Sequence, residues 1–331
     1  MFRIGSLKLK SNLILAPLAG VSDLPFRTLN RKFGCELAFI EMLNVRSVSY
    51  KSRKTAEMLS SNTKDRPLGL QLLGIEPKFI LRAMDALRQY QFDILDFNAA
   101  CPAKKVVRRG EGASLLKEPK KLSGLLKLVV KNSGVPVTVK IRAGWDKDSV
   151  NAREVALYAQ DAGIDGLFIH GRTKLQGYSG KVDYGVIHEV KEALEIPVIA
   201  SGDVFSPQLV KKMFDETGCD AVAVARGCLG NPWIFKDSKE FLKKGLMPDK
   251  PAIDEIIRVM IEHLEANAAF YGERIGVIKF RKFFSWYTKG LGKIRPLREK
   301  VSCAKTKDEM VGIINSANNK KAPKLLGFSC R

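Results

Sequence analysis

Short runs of apolar and β-branched residues recur along the chain, with longer segments of mixed polarity between them. The runs are LILAPLAG (13–20), LAFIEM (37–42), LGLQLLG (68–74), ILDFNAA (94–100), VPVTVKIRAG (135–144), GLFIHGR (166–172), IPVIASGD (196–203) and AVAVARG (221–227). Each is continuous rather than alternating, the pattern of strands buried on both faces of a parallel sheet. The segments between them have helical spacing. EPKFILRAMDALRQY carries an early proline, and SVNAREVALYAQDAG opens on a candidate cap and closes on Gly163. Eight strand–helix units predict an α/β fold, a (β/α)8 TIM barrel. An open doubly wound sheet is the alternative, but no G-x-G-x-x-G follows the first run.

The pattern changes after residue 240. PDKPAIDEIIRVMIEHLEANAAFYG and GVIKFRKFFSWYTKG read as amphipathic helices. The expected division is a catalytic barrel over residues 1–244 and a small helical domain over 245–331, ending in a mobile basic tail, NNKKAPKLLGFSCR.

Active sites in such barrels gather at the C-terminal ends of the strands. Those ends hold Pro17, Leu18 and Ala19; Glu41; Gln71; Asn98 to Cys101; Lys140 and Arg142; His170 and Arg172; Ser201, Gly202 and Asp203; and Ala225, Arg226 and Gly227. The seventh and eighth ends, SGD and ARG, suit phosphate binding by backbone N–H groups, with Arg226 adding a bidentate contact; two ordinary turns are the plainer reading. Lys140 can balance charge on a reduced flavin and Gln71 can hydrogen-bond its ring, although a barrel lysine also suits a Schiff base or a carboxylate partner. A free thiol has a pKa of about 8.5, so Cys101 suits a proton donor better than a pre-formed nucleophile. A buried structural cysteine is the commoner fate.

Charge changes the picture. The 331 residues carry 56 Lys+Arg against 35 Asp+Glu, a formal charge of +21. This favours a polyanionic partner. Residues 241–331 hold 19 basic and 9 acidic residues, so the helical domain is the more basic part for its length. The six cysteines form no C-x-x-C pair, and read as reduced thiols in the cytoplasm. Three histidines without H-E-x-x-H spacing give no metal site, and the N-terminal apolar run is too short for a signal peptide or a membrane span.

Six motifs in order resemble the tRNA-dihydrouridine synthase family, in particular its bacterial B-type branch: APLAGVSDLPFR, FNAACPAKKV, VTVKIRAGW, IHGRT, PVIASGD and GNPWIF. The resemblance runs from about residue 4 through the barrel and continues more weakly into RKFFSWY. It implies an FMN enzyme. NADPH reduces the flavin, hydride passes to C6 of a uracil in tRNA, and the cysteine protonates C5 to give 5,6-dihydrouridine. On that resemblance Cys101 is the general acid. Pro17, Leu18, Ala19, Gln71, Lys140, His170, Ser201, Gly202, Asp203, Ala225 and Arg226 fall on flavin-binding positions, and Asn98 and Arg172 fall near the target base. Three positions depart from the family pattern: Ala100 and Ala225 stand where it usually has Gly, and Ser201 where it usually has Asn. These departures bear on FMN affinity and on the preferred reductant.

The expected partner is tRNA, bound by a monomeric protein with no membrane association. Lys104 and its basic neighbours are candidates for RNA phosphates. Phe280, Phe283, Phe284 and Tyr287 lie at i, i+3, i+4 and i+7 and predict a core stripe. Arg281, Lys282 and Lys289 predict a tRNA-docking surface on the same helix. The rival readings are an FMN oxidoreductase acting on a free pyrimidine, of the dihydroorotate or dihydropyrimidine dehydrogenase kind, an RNA-binding flavoprotein without reductase activity, and flavin-dependent RNA methylation with a folate donor.

Overall fold

A computed structural model describes residues 1–292 and 294–318. Eight strands form a parallel barrel: β1 (Leu13–Leu15), β2 (Leu37–Phe39), β3 (Leu68–Leu73), β4 (Ile94–Asn98), β5 (Val137–Arg142), β6 (Gly166–His170), β7 (Val198–Ser201) and β8 (Ala221–Val224). Each lies within one of the eight apolar runs. The barrel closes because Val222 of β8 pairs with Leu13 of β1, and Ala38 of β2 pairs with Leu68 of β3. A ninth short strand, Leu43–Asn44, adds to the edge of β3.

Several of the helices between strands start on side-chain caps. Asp23 accepts from the Phe26 N–H ahead of Leu24–Lys32, with Pro25 in the first turn. Asp183 and Ser206 do the same for Tyr184–Ala193 and Pro207–Thr217. The helix Ala152–Gln160 follows Asn151, whose side chain makes no capping bond.

Inside the barrel the lower layers are apolar. Phe39 and Phe168 meet edge to face at 5.5 Å. Gly69 makes room for them, because a Cβ there would lie 2.3 Å from the Phe39 ring. An antiparallel hairpin, Phe2–Ile4 with Leu7–Leu9, precedes the barrel. Its buried Ile4 and Leu9 join Ile14, Leu37 and Ile94 near the starts of their strands. The hairpin therefore plugs the N-terminal end and leaves the opposite end for chemistry. A buried side chain of this size contributes about 1.5–3 kcal/mol.

The chain divides into two compact units, Met1–Gly227 and Cys228–Arg331. The boundary thus falls before the expected 244/245, because the helix Ile234–Lys244 groups with the second unit. In that unit Ile253–Tyr271 and Glu273–Tyr287 form a helical hairpin joined at Gly272. Gly276 lets the helices touch, since a Cβ there would fall 2.6 Å from the Ala268 backbone. Phe280, Phe283, Phe284 and Tyr287 are all buried, as their spacing predicted. Helices Arg295–Cys303 and Lys307–Asn315 follow, the latter opened by a Thr306/Glu309 capping box. The tail NNKKAPKLLGFSCR lies outside the described residues from 319 onward. Among the described residues no helix is long and apolar enough to cross a membrane, and no His/Cys/Asp/Glu cluster could hold a metal. Cys35, Cys101, Cys219 and Cys228 are in no disulfide, whereas Cys303 is disulfide-bonded, against the expectation that all six are reduced.

Candidate active site

The C-terminal ends of the strands converge on a cavity of about 210 Å³. All eleven residues assigned to flavin positions line it, from Pro17 to Arg226, together with Asn98 and Cys101. Strand register explains the convergence. Asn98 pairs with Lys140, Arg142 with His170, and Ser201 with His170, so residues far apart in sequence share one rim.

Below the rim lies a row of polar side chains across β3, β4 and β5. Gln71 pairs with Asp96, and Asp96 with Thr138. Thr138 Oγ1 donates to Asp96 Oδ1 at 2.7 Å, and Gln71 Nε2 donates to Asp96 Oδ2 at 2.7 Å. Asn98 Nδ2 donates to Gln71 Oε1 at 2.7 Å. Asn98 Oδ1 accepts the N–H groups of Ala100 and Cys101 at 3.0 and 2.8 Å. Cys101 itself is half-buried. Gly112 packs beneath its loop, where a Cβ would lie 2.8 Å from the Cys101 carbonyl oxygen.

Lys140 projects into the cavity and donates to Ser201 Oγ at 3.0 Å, while Ser201 Oγ donates to the Ile169 carbonyl at 2.9 Å. Ser201, the residue that departs from the family pattern, thus fixes the ammonium in place. Burial pulls Lys140 down to about 8, opposed by the Asp96 carboxylate. Burial pushes Asp96 up to about 6, offset by its hydrogen bonds and by Lys140. Burial thus moves both groups towards their neutral forms, and each partly restores the other's charge. His170 is held down to about 2, first by burial and then by Arg142, Lys140, Arg172 and Arg226. It is neutral, and its buried Nε2 has no hydrogen-bond partner among the described residues.

Arg172 does not line the cavity. It is 1 % exposed and donates to Asp203 Oδ1 at 2.9 Å and to the Ser179 and Gly180 carbonyls at 3.0 and 2.6 Å. Asp203 also takes Arg226 at 2.7 Å, and the two guanidiniums hold its carboxyl below the usual range. Arg172 thus supports the SGD turn from beneath. Arg142 likewise braces the Cys101 loop, donating to the Ala100 carbonyl at 2.8 Å.

Lys104, Lys105 and Arg108 are exposed on and beside the short helix Lys104–Val107 that follows the Cys101 loop, while Arg109 pairs with buried Glu111 at 2.7 Å. In the second unit Arg281 is half-buried and donates to the Ala304 carbonyl at 2.7 Å, Lys282 lies 5.0 Å from the centre of the Phe283 ring, and Lys289 is exposed. Sequence reasoning missed Asp96, Thr138 and the mouth aromatics Tyr178 and Phe205, which flank Arg226 at 4.7 and 5.4 Å. Asp96 left a signal: an acid inside an apolar run, two residues from Asn98 and so on the same face of the strand.

The dihydrouridine synthase (Dus) family matches residues 14–324. The chain is 39% identical over 285 residues to tRNA-dihydrouridine synthase B of Pseudomonas putida, covering 86% of this chain and 85% of that protein. It is 37% identical over 310 residues to the Vibrio cholerae protein of the same name, covering 93% and 96%. A probable tRNA-dihydrouridine synthase of Rickettsia bellii is 36% identical over 326 residues, covering 97% and 100%. Among solved structures, histamine dehydrogenase from Rhizobium sp. 4-9 aligns with a TM-score of 0.57 at 13% identity, over 80% of this chain and 50% of that one, a likeness of fold alone. A match over nearly its whole length means that the chain belongs to the dihydrouridine synthase family.

Proposed function

We propose that the chain is a tRNA-dihydrouridine synthase that works at the C-terminal mouth of the barrel, with FMN as its flavin and NADPH as reductant. The observation that carries this reading is Cys101, a half-buried free thiol on the wall of a cavity that also collects every residue on a flavin position.

The cavity suits a flavin in three respects. Gly202 leaves the wall open, since a Cβ there would press on Val182 and His170 at 2.8 and 3.0 Å. His170 Nε2 is buried and has no hydrogen-bond partner among the described residues, so a ligand donor can satisfy it. Lys140 Nζ is held at the cavity wall by Ser201. Gln71, Lys140, His170 and Arg226 would hold the group, with Pro17, Leu18, Ala19, Ser201, Gly202, Asp203 and Ala225 shaping its bed.

When bound, FMN supplies the hydride that C6 of the uracil requires. Lys140 would offer positive charge to the negative charge that reduction adds to the ring. Cys101 Sγ holds the proton delivered to C5, so one hydride and one proton saturate the C5–C6 bond. Asn98 positions the thiol through its backbone N–H. Lys104, Lys105 and Arg108 offer cations to RNA phosphates beside that loop.

The test is direct. The purified protein should be yellow, should release FMN on denaturation, and should form dihydrouridine in unmodified tRNA with NADPH but not in free uridine. A colourless protein that binds no flavin in titration would sink this reading.

A further inference from the structure

Cys101 lies in a loop, yet bonds of fixed direction tie its backbone to the barrel interior. The oxygen of Asn98 faces two backbone N–H groups, at Ala100 and Cys101. An N–H can only donate, so that atom has to be oxygen. Asn98 therefore turns its Nδ2 to Gln71, which must answer with Oε1. Gln71 in turn points Nε2 at position 96, which must accept. Asp96 meets that need, and its second oxygen takes the Thr138 hydroxyl. Reversing either amide places donor against donor on one side and acceptor against acceptor on the other.

We propose that Asp96 is a positioning residue: through Gln71 and Asn98 it sets the direction of the amide chain and so holds the Cys101 thiol against the cavity. The proposal rests on the assignment of Cys101 as proton donor. Asp96 is 1 % exposed and does not line the cavity, so it acts only through its neighbours.

Position 96 needs an acceptor facing Gln71, and any group there must also satisfy position 138. An asparagine amide at position 96 can keep its oxygen towards Gln71 only if its NH2 finds an acceptor. The Thr138 hydroxyl is one; a valine side chain is not. Asp96→Asn should thus be tolerated while Thr138 is in place, but not in combination with Thr138→Val. Thr138→Val alone leaves Asp96 Oδ2 as the acceptor facing Gln71 and keeps the chain intact. The two substitutions are nearly isosteric, so volume does not confound the comparison.

The experiment is a double-mutant cycle of parent, Asp96→Asn, Thr138→Val and the double variant. The first readout is the rate of iodoacetamide alkylation at the Cys101 peptide, followed by mass spectrometry in the absence of tRNA. The second is kcat and KM for tRNA. Each single variant should stay within about threefold of the parent, and the double should alkylate about tenfold faster with lower kcat and unchanged KM. Asp96→Ala, which removes the acceptor outright, should alkylate at least as fast as the double. Additive effects would overturn the proposal, as would an Asp96→Asn variant already as impaired as the double, since charge and not direction would then matter. The alkylation arm is independent of turnover. Coupling in a protein that forms no dihydrouridine would keep the positioning role and sink the proposed function, and activity without coupling would do the reverse.

Discussion

The barrel mouth and the core of the helical unit each bury a neutral histidine in different surroundings. His170 faces an open cavity among Lys140, Arg142, Arg172 and Arg226, and its Nε2 has no hydrogen-bond partner among the described residues. His263 is enclosed by rings, 4.3 Å from Phe283 and 5.6 Å from Phe280, with Nδ1 3.2 Å from the Tyr287 hydroxyl. Both are pulled far below the usual imidazole value, chiefly by burial. A depressed pKa therefore does not mark the chemistry here. What marks it is convergence: several strands bringing polar atoms to one hollow. Substitutions in the mouth should then change chemistry while the fold survives, and substitutions in the helical core should change stability.

The strongest way to break this contrast is at Cys101. Cys101→Ala should keep FMN and its reduction by NADPH, yet lose roughly 10²–10⁴-fold in dihydrouridine formation. Single-turnover assays with pre-reduced enzyme check it, and the melting temperature should match the parent. The opposite pole is Phe283, which is fully buried. Phe283→Ala should destabilise the helical unit by roughly 3–5 kcal/mol, because apolar burial is removed and a cavity remains. Chemical denaturation reads this, and the flavin spectrum should be unaltered in the folded fraction.

Acid sharpens the contrast. Burial lowers His263 to about 3 against an unfolded value of about 6.5. The unfolded chain then binds a proton that the folded one refuses, so stability falls as pH drops from 6.5 towards 3. At pH 5 the loss is on the order of 2 kcal/mol. In the barrel, Asp96 has the opposite sign: raised to about 6, it gains stability as pH falls through that value and offsets His170. His263→Gln should therefore flatten the acid limb of the helical unit's stability. Urea midpoints between pH 5 and 8 measure it, and an unchanged slope would contradict the assigned burial.

The barrel was legible because its strands are continuous apolar runs, a pattern that survives without any contact information. The hairpin at residues 2–9 was not, since two three-residue strands are too short for periodicity to register. In the mouth, residues at strand ends were found because polar groups closing apolar runs stand out. Arg172 falls near the target base by resemblance, whereas in the fold Asp203 and two carbonyls occupy it. Only strand register brings that carboxylate near, and spacing in the sequence carries no trace of it. Asp96 stands out in its apolar run as a lone acid, but its partners Gln71 and Thr138 come from other strands and only register shows them. GNPWIF, a family motif of no evident chemistry, has a packing role: a Cβ on Gly230 would sit 2.3 Å from the Trp286 backbone, so this glycine lets the motif meet RKFFSWY.

The smallest expected effect concerns where tRNA phosphates lie, and it compares the two units directly. Lys104, Lys105 and Arg108 are exposed and form no ion pair among the described residues. Their charge is available to a polyanion. Arg281 is committed to the Ala304 carbonyl just past the helix Arg295–Cys303, so its removal would weaken packing and confuse a binding test. The clean variant of the helical surface is therefore Lys282→Gln with Lys289→Gln, leaving Arg281 in place. Each cation taken away from an RNA phosphate should lower the slope of log affinity against log salt by about 0.7–0.9. Glutamine at Lys104, Lys105 and Arg108 together should lower it by about two, and the helical pair by less than about one. The measurement is tRNA affinity across a salt series for parent and both variants, with FMN content as the control for folding. If the helical pair flattened the slope more than the rim trio, the main electrostatic surface would belong to the helical unit. Binding and chemistry would then reside in different units, and the barrel mouth would contribute only the base pocket.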